Sequence, residues 1–93
     1  MNIIWDEKKN KKLIDERGIS FEEIAELIIE KRYITILENP VRKNQQIFLL
    51  FLNKYVHVVP FIVDKDNNLI LKTVFPSRKF HKIYGEKNNE NNS

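Results

Sequence analysis

The sequence predicts a single α+β domain: two amino-terminal helices packed on an antiparallel sheet of about four strands, closed by a short carboxy-terminal helix. Three observations carry that expectation. Apolar residues recur at helical spacing as far as about Lys31. From Tyr33 onwards the pattern changes to β-branched and aromatic runs separated by turn residues. The chain has 93 residues, 42% of them apolar, which suits one core and leaves little room for a second domain.

The elements follow in order. Residues 2–6, NIIWD, are short and apolar and read as an extended lead-in or first strand. Asp6 is placed to cap a helix through EKKNKKLIDER, and Gly18 falls where a helix end favours a left-handed residue. That helix is mostly charged, so Leu13, Ile14 and Trp5 are its anchors. The second helix carries a stronger start signal. Ser20 and Glu23 stand as the N-cap and third residue of a capping box, with Ile19 and Ile24 spaced as a hydrophobic staple. Phe21, Ile24, Ala25, Leu27 and Ile28 then form one apolar stripe, predicted to run to about Lys31.

YITIL predicts a short strand, and ENPVRKN a loop around Pro40. QQIFLLFL and YVHVVPFIV are separated only by Asn53 and Lys54, which predicts a tight hairpin. DKDNN is a second turn and LILKTVF a further strand. Both parities of the middle strands are apolar, so both faces of the sheet need cover. Pro60 cannot donate to a ladder and calls for an edge or a bulge. Ser77, after Pro76, is placed to cap a short helix through Tyr84. The domain is expected over residues 1–85; GEKNNENNS is polar and low in complexity, and its residues 86–93 are expected to form a disordered tail.

Composition excludes several classes of function. Without cysteine there are no disulfides and no thiolate metal sites, and two histidines make a protein-only zinc site a poor fit. No metal or cofactor is expected. The amino terminus lacks the basic-then-apolar order of a signal peptide, and no apolar run approaches the length of a membrane span. A cytoplasmic protein without membrane partners is expected. Charge divides unevenly: residues 1–40 hold seven Lys or Arg against nine Asp or Glu, whereas residues 41–93 hold nine against four. Such asymmetry fits either an anion-facing second half, with nucleic acid the usual candidate, or ordinary solubilising charge.

One stretch concentrates the question. Residues 71–84, LKTVFPSRKFHKIY, pass from a strand into Arg78, Lys79, His81, Lys82 and Tyr84. Either these solvate an exposed end or they meet a phosphodiester.

Residues 5–23, WDEKKNKKLIDERGISFEE, resemble the opening of BrnT-type toxins of bacterial toxin–antitoxin pairs. That family opens with Trp-Asp, carries a Lys four residues after the Trp, and reaches His-Gly-Val-Ser-Phe-Glu-Glu at a fixed distance. Trp5, Asp6, Lys9, Gly18, Ser20, Phe21, Glu22 and Glu23 fall on those positions. The later SRK resembles the family's Ser-Ala-Arg-Lys-type motif at a strand end, and the resemblance extends over roughly residues 3–84. The chain departs from the pattern at Leu13, where Asn is usual, and at Arg17, where His is usual. Gln45, Gln46 and Ile47 replace an Arg, although Arg42 and Lys43 lie close by, and the segment after Arg78 is shorter.

The resemblance implies a RelE-like fold, metal-independent cleavage of RNA (ribosome-bound mRNA included) and inhibition of translation. It also implies neutralisation by a cognate antitoxin, typically a ribbon-helix-helix DNA-binding protein. Such chemistry needs a base for the 2′-hydroxyl, stabilisation of a pentavalent phosphate and an acid for the 5′-oxygen. Arg78 is the first choice for the phosphate, because its planar fork binds two oxygens at once. Lys79 adds charge beside it, and His57, His81 and Tyr84 are the proton-transfer candidates. Lys72, Arg42, Lys43 and Lys9 are candidates for holding RNA.

Each candidate has a plainer role. His57 alternates with Tyr55, Val59 and Phe61 as a structural histidine would, and Lys72 can snorkel at a sheet edge. Tyr84 can stack on a base instead of moving protons. Two other functions remain open on the sequence: a non-catalytic RNA-binding module, and a protein-interaction module that docks through an exposed apolar strand.

Overall fold

A computed structural model describes residues 1–85, and the expected polar tail at 86–93 lies outside the described residues. The chain begins with β1 (Ile3–Ile4), α1 (Glu7–Arg17) and α2 (Phe21–Ile29). Five strands follow: β2 (Thr35–Glu38), β3 (Gln46–Leu52), β4 (Tyr55–Val63), β5 (Leu69–Leu71) and β6 (Phe75–Pro76). Last comes α3 (Arg78–Phe80), continued by a π-helical turn over His81–Gly85.

The helix ends form as their capping residues dictate. The Asp6 carboxylate accepts from the Lys8 and Lys9 amides at 2.8 and 3.3 Å, and Gly18 adopts a φ of 66°. At α2 the Ser20 hydroxyl accepts from the Glu23 amide while the Glu23 carboxylate accepts from the Ser20 amide, each at 3.1 Å. This helix stops at Ile29, slightly short of the expected Lys31. Lys31 turns left-handed at φ 57°, and the Arg32 amide reaches back to the Leu27 carbonyl at 2.8 Å. The helices are joined by Asn10, only 2% exposed, whose side-chain oxygen accepts from the Phe21 amide at 2.7 Å.

The sheet has six strands in the order β1-β5-β4-β3-β2, with β6 beside β4. The expected architecture, two helices on a mostly antiparallel sheet, is present, with two strands more than the about four expected. One is β1, which NIIWD offered as a lead-in or first strand, and the other arises because the expected LILKTVF strand is split into β5 and the two-residue β6. Moreover β1 lies parallel to β5, with Ile3 opposite Leu69 and Ile4 opposite Ile70, so its partner is remote in sequence. The β3–β4 hairpin forms as expected: Asn53 and Lys54 both take positive φ, 51° and 63°, as a tight turn with right-handed strand twist requires.

Pro60 lies in β4, between β3 and the β5–β6 side, and a bulge accommodates it there. Phe61 faces Leu71 and Val58 faces Phe75, so Val59 and Pro60 are opposed by three residues, 72–74. The Pro60 carbonyl, on that side, accepts from the Lys72 amide at 2.9 Å.

Both faces of the sheet are covered, which explains the two apolar parities. On one face Phe48, Leu50, Val59 and Phe61 pack on Phe21, Ile24 and Ile28 of α2. On the other, Ile47, Leu49, Val56 and Val58 pack under Phe80 and Tyr84 of the carboxy-terminal turns. Each fully buried large apolar side chain contributes roughly 1.5–3 kcal/mol before chain entropy is subtracted. Among the described residues, no helix is long and apolar enough to cross a membrane.

Candidate nucleic-acid interface

The bulge opposite Pro60 creates the main surface concavity on the cationic side of the fold. It turns the Lys72 carbonyl outward, where the Lys9 ammonium donates to it at 3.3 Å and ties the first turn of α1 to the sheet. On the far side the 39–45 loop is closed by the Asn39 amide on the Gln45 carbonyl at 2.9 Å. The Asn39 side-chain oxygen also accepts from the amides of Val41 and Arg42, at 2.9 and 3.2 Å. Between bulge and loop lies a groove of about 540 Å³, lined by Lys9, Arg42 and Lys72 together with Gln45, Thr73 and Phe75.

The groove continues in both directions. One extension of about 170 Å³ runs to Ser77 and Phe80 at the start of α3. Another of about 370 Å³ runs along α1 past Lys12 and Arg17. The single carboxylate on this path is Glu16, which is exposed and 3.8 Å from Lys12. Five cations against one acid make the surface strongly anion-attracting.

Lys9, Arg42 and Lys72, three of the four RNA-holding candidates, therefore line one groove. Lys43 is exposed beside Arg42 but does not line it. Arg78 is the first residue of α3, positioned by Ser77, whose hydroxyl accepts from the Phe80 amide at 3.2 Å. It is exposed, and among the described residues no carboxylate pairs with it. Lys79 is also exposed, its ammonium 5.6 Å from the centre of the Phe80 ring.

The remaining candidates are packed into the fold. His81 Nδ1 accepts from the Val56 amide at 3.2 Å, which leaves the ring proton of that tautomer on Nε2. Its ring stacks on Tyr55 with centroids 4.0 Å apart, and Gly85 presses so close that a Cβ there would sit 2.5 Å from Nδ1. Tyr84 is half-buried against the second sheet face, with its ring 6.3 Å from that of Phe80. His57 lies on the opposite, helix-covered face and is only 6% exposed. Its Nδ1–H donates to the Tyr55 carbonyl at 3.0 Å. Burial pushes its pKa below the ordinary 6.5; the Tyr55 carbonyl works against that shift and the Arg17 charge adds to it.

Asn39, Thr73 and Phe75, which the sequence reading did not single out, complete the groove together with Gln45, noted there only as a departure from the family pattern. Among the described residues no cluster of three or more His, Cys, Asp or Glu side chains could hold a metal ion.

No protein-family profile matches the chain, and no curated protein matches it. Among solved structures it is similar to the ribonuclease toxin BrnT of Brucella abortus, with a TM-score of 0.60 and 23% sequence identity. The match covers 83% of this chain and 96% of that one. The α+β architecture of this chain, two helices on a mixed sheet with a short carboxy-terminal helix, is thus a BrnT-like fold.

Proposed function

We propose that the chain is the toxin of a type II toxin–antitoxin pair, a metal-independent ribonuclease that inhibits translation until a cognate antitoxin binds it. The observation that carries this reading is a groove lined by Lys9, Arg42 and Lys72 on the fold of a ribonuclease toxin. The resemblance of residues 5–23 and of Ser77–Arg78–Lys79 to BrnT-type motifs supports it from the sequence side.

In this reading Lys9, Arg42 and Lys72 hold the RNA backbone, and Lys43 adds charge from the loop. Arg78, which pairs with no carboxylate among the described residues and follows Ser77 at the groove's end, binds the scissile phosphate and stabilises its pentavalent form. The 2′-oxygen attacks phosphorus as its proton leaves, the bond to the 5′-oxygen breaks, and that oxygen takes up a proton. The products are a 2′,3′-cyclic phosphate and a 5′-hydroxyl. His81 lies three residues beyond Arg78, at the start of the π-helical turn. Its Nε2–H donates a hydrogen bond to a non-bridging phosphate oxygen, the Tyr84 hydroxyl gives its proton to the 5′-oxygen, water accepts the 2′-proton and returns one to Tyr84, and Lys79 supports the phosphate charge. His57, sealed under the helices, serves as a structural residue. Phosphate charge is met directly by Lys and Arg.

Purified protein is incubated with free RNA and with translating ribosomes, both in excess EDTA. The expected result is cleavage that survives chelation and falls by about 10²–10³-fold in folded Arg78→Ala, the loss typical of one transition-state donor. Addition of the antitoxin, expected to be a ribbon-helix-helix protein, abolishes cleavage. Folded wild type that cuts neither substrate would refute the enzyme.

A second reading, RNA binding without cleavage, draws on one observation. Each histidine has a ring nitrogen engaged with backbone, and neither lines the groove. It predicts salt-sensitive binding with no product.

A further inference from the structure

Every aromatic ring among the described residues except one abuts another ring. Trp5 pairs with Phe21, and Tyr33, Phe48 and Phe61 form a run. Phe51 and Tyr55 flank His81, and Phe80 meets Tyr84. Phe75 alone has no ring partner, and it is 42% exposed. Its neighbour Val74, 4% exposed, takes the core position at this point of the chain, so Phe75 is not required there. Phe75 also lines all three segments of the cationic groove, and so stands at their junction.

We infer that Phe75 is a stacking platform for an unpaired RNA base, whose flanking phosphates are held by Lys9, Lys72 and Arg42. The inference rests on the RNA reading given above and names how the groove would select its ligand. An exposed ring on a paired strand is already fixed in orientation, so little side-chain entropy is lost when a base lands on it. A ring surrounded by cations is the arrangement used to hold single strands, in which each base offers a π-face between phosphates. Asn39, Gln45 and Thr73 add hydrogen-bonding groups that can meet base edges. A base stacked within a duplex offers no free face, so the site discriminates single strands from double strands.

The test uses the full chain and a fluorescent 2′-O-methyl RNA single strand of about ten nucleotides, a length spanning such sites. This probe cannot be cut by its own 2′-oxygen, so binding is read apart from cleavage. Anisotropy titrations are made at several salt concentrations, with circular dichroism confirming that each variant is folded. Phe75→Ala is expected to weaken binding by about 5–100-fold, the range for losing one base–aromatic stack, while leaving the salt dependence unchanged. Phe75→Trp is expected to restore affinity. Lys72→Ala should instead make the salt slope shallower by about one. Tight wild-type binding that Phe75→Ala leaves intact would overturn the platform alone and assign the exposed ring to a protein partner. Absence of wild-type binding would overturn the RNA reading and the platform together.

Discussion

Asn10→Ala is the most informative test of how the scaffold beneath the groove is held. Asn10 lies in the charged helix α1, yet it is 2% exposed and its amide makes two contacts. Its oxygen accepts from the Phe21 amide at 2.7 Å, and its nitrogen donates to the Glu22 carboxylate at 2.6 Å. Phe21 opens α2, so its amide is one of the donors a helix cannot satisfy internally. Truncation strands that buried donor, at a cost of about 1–3 kcal/mol, and removes a charge-assisted bond worth about 1.5 kcal/mol or more. The expected total is about 3 kcal/mol, a large share of the roughly 5–15 kcal/mol that stabilises a domain. At about 4–8 °C per kcal/mol for a chain of this size, Tm should fall by about 12–24 °C.

Urea unfolding followed by circular dichroism measures the loss, with the m-value expected to stay constant. Asn10→Asp separates the two contacts. It keeps the acceptor for Phe21 but places a second carboxylate where the amide now lies 2.6 Å from Glu22. That variant should be destabilised near neutral pH and recover part of the loss as the pair takes up a shared proton in acid. A loss below about 0.5 kcal/mol in Asn10→Ala, the level of an ordinary surface change, would refute the reasoning.

Two further outcomes follow from the histidines. Burial lowers the folded-state pKa of His57 below 6.5, so the unfolded chain binds the proton first. Its contribution should be complete above that pH and decline as pH falls through it, a slope that urea titrations across pH can measure and that His57→Gln should flatten. In Gly85→Ala the new Cβ would meet His81 Nδ1 at 2.5 Å and Cε1 at 2.6 Å, displacing the ring from Val56. Thermal unfolding should show a loss of about 1–3 kcal/mol, with a parallel drop in RNA cleavage.

Legibility in the sequence followed the range of the interaction. The Asp6 cap, the Ser20–Glu23 box and the Asn53–Lys54 turn were readable because each is satisfied within four residues of chain. The need for relief at Pro60 was readable too, since a missing donor is a property of the residue itself. The parallel pairing of Ile3 and Ile4 with Leu69 and Ile70 was not, because two-residue strands carry no periodicity. Asn10 was hidden for a related reason: a polar residue in a charged run gives no sign that a distant helix end will cover it. The site divided similarly. Lys9, Arg42 and Lys72 were identifiable as cations, but their convergence depends on a bulge and a loop closing from opposite sides. Phe75 read as one more apolar strand residue, and only the register showed Val74 taking the buried place.

The tie between Lys9 and the Lys72 carbonyl, with Ile3 paired to Leu69 beside it, bears on the order in which a nascent chain matures. The first-made segment has no strand to join until β5 has been synthesised, and α2 has no sheet to cover until β3 and β4 have emerged. Closing so long a loop is slow and late in folding. The groove likewise draws on residues 9, 42, 72 and 75, so no product of translation cut short before residue 75 contains it. A ribosome making this chain therefore releases nearly all of it before the groove exists, and synthesis interrupted before residue 75 leaves fragments without it.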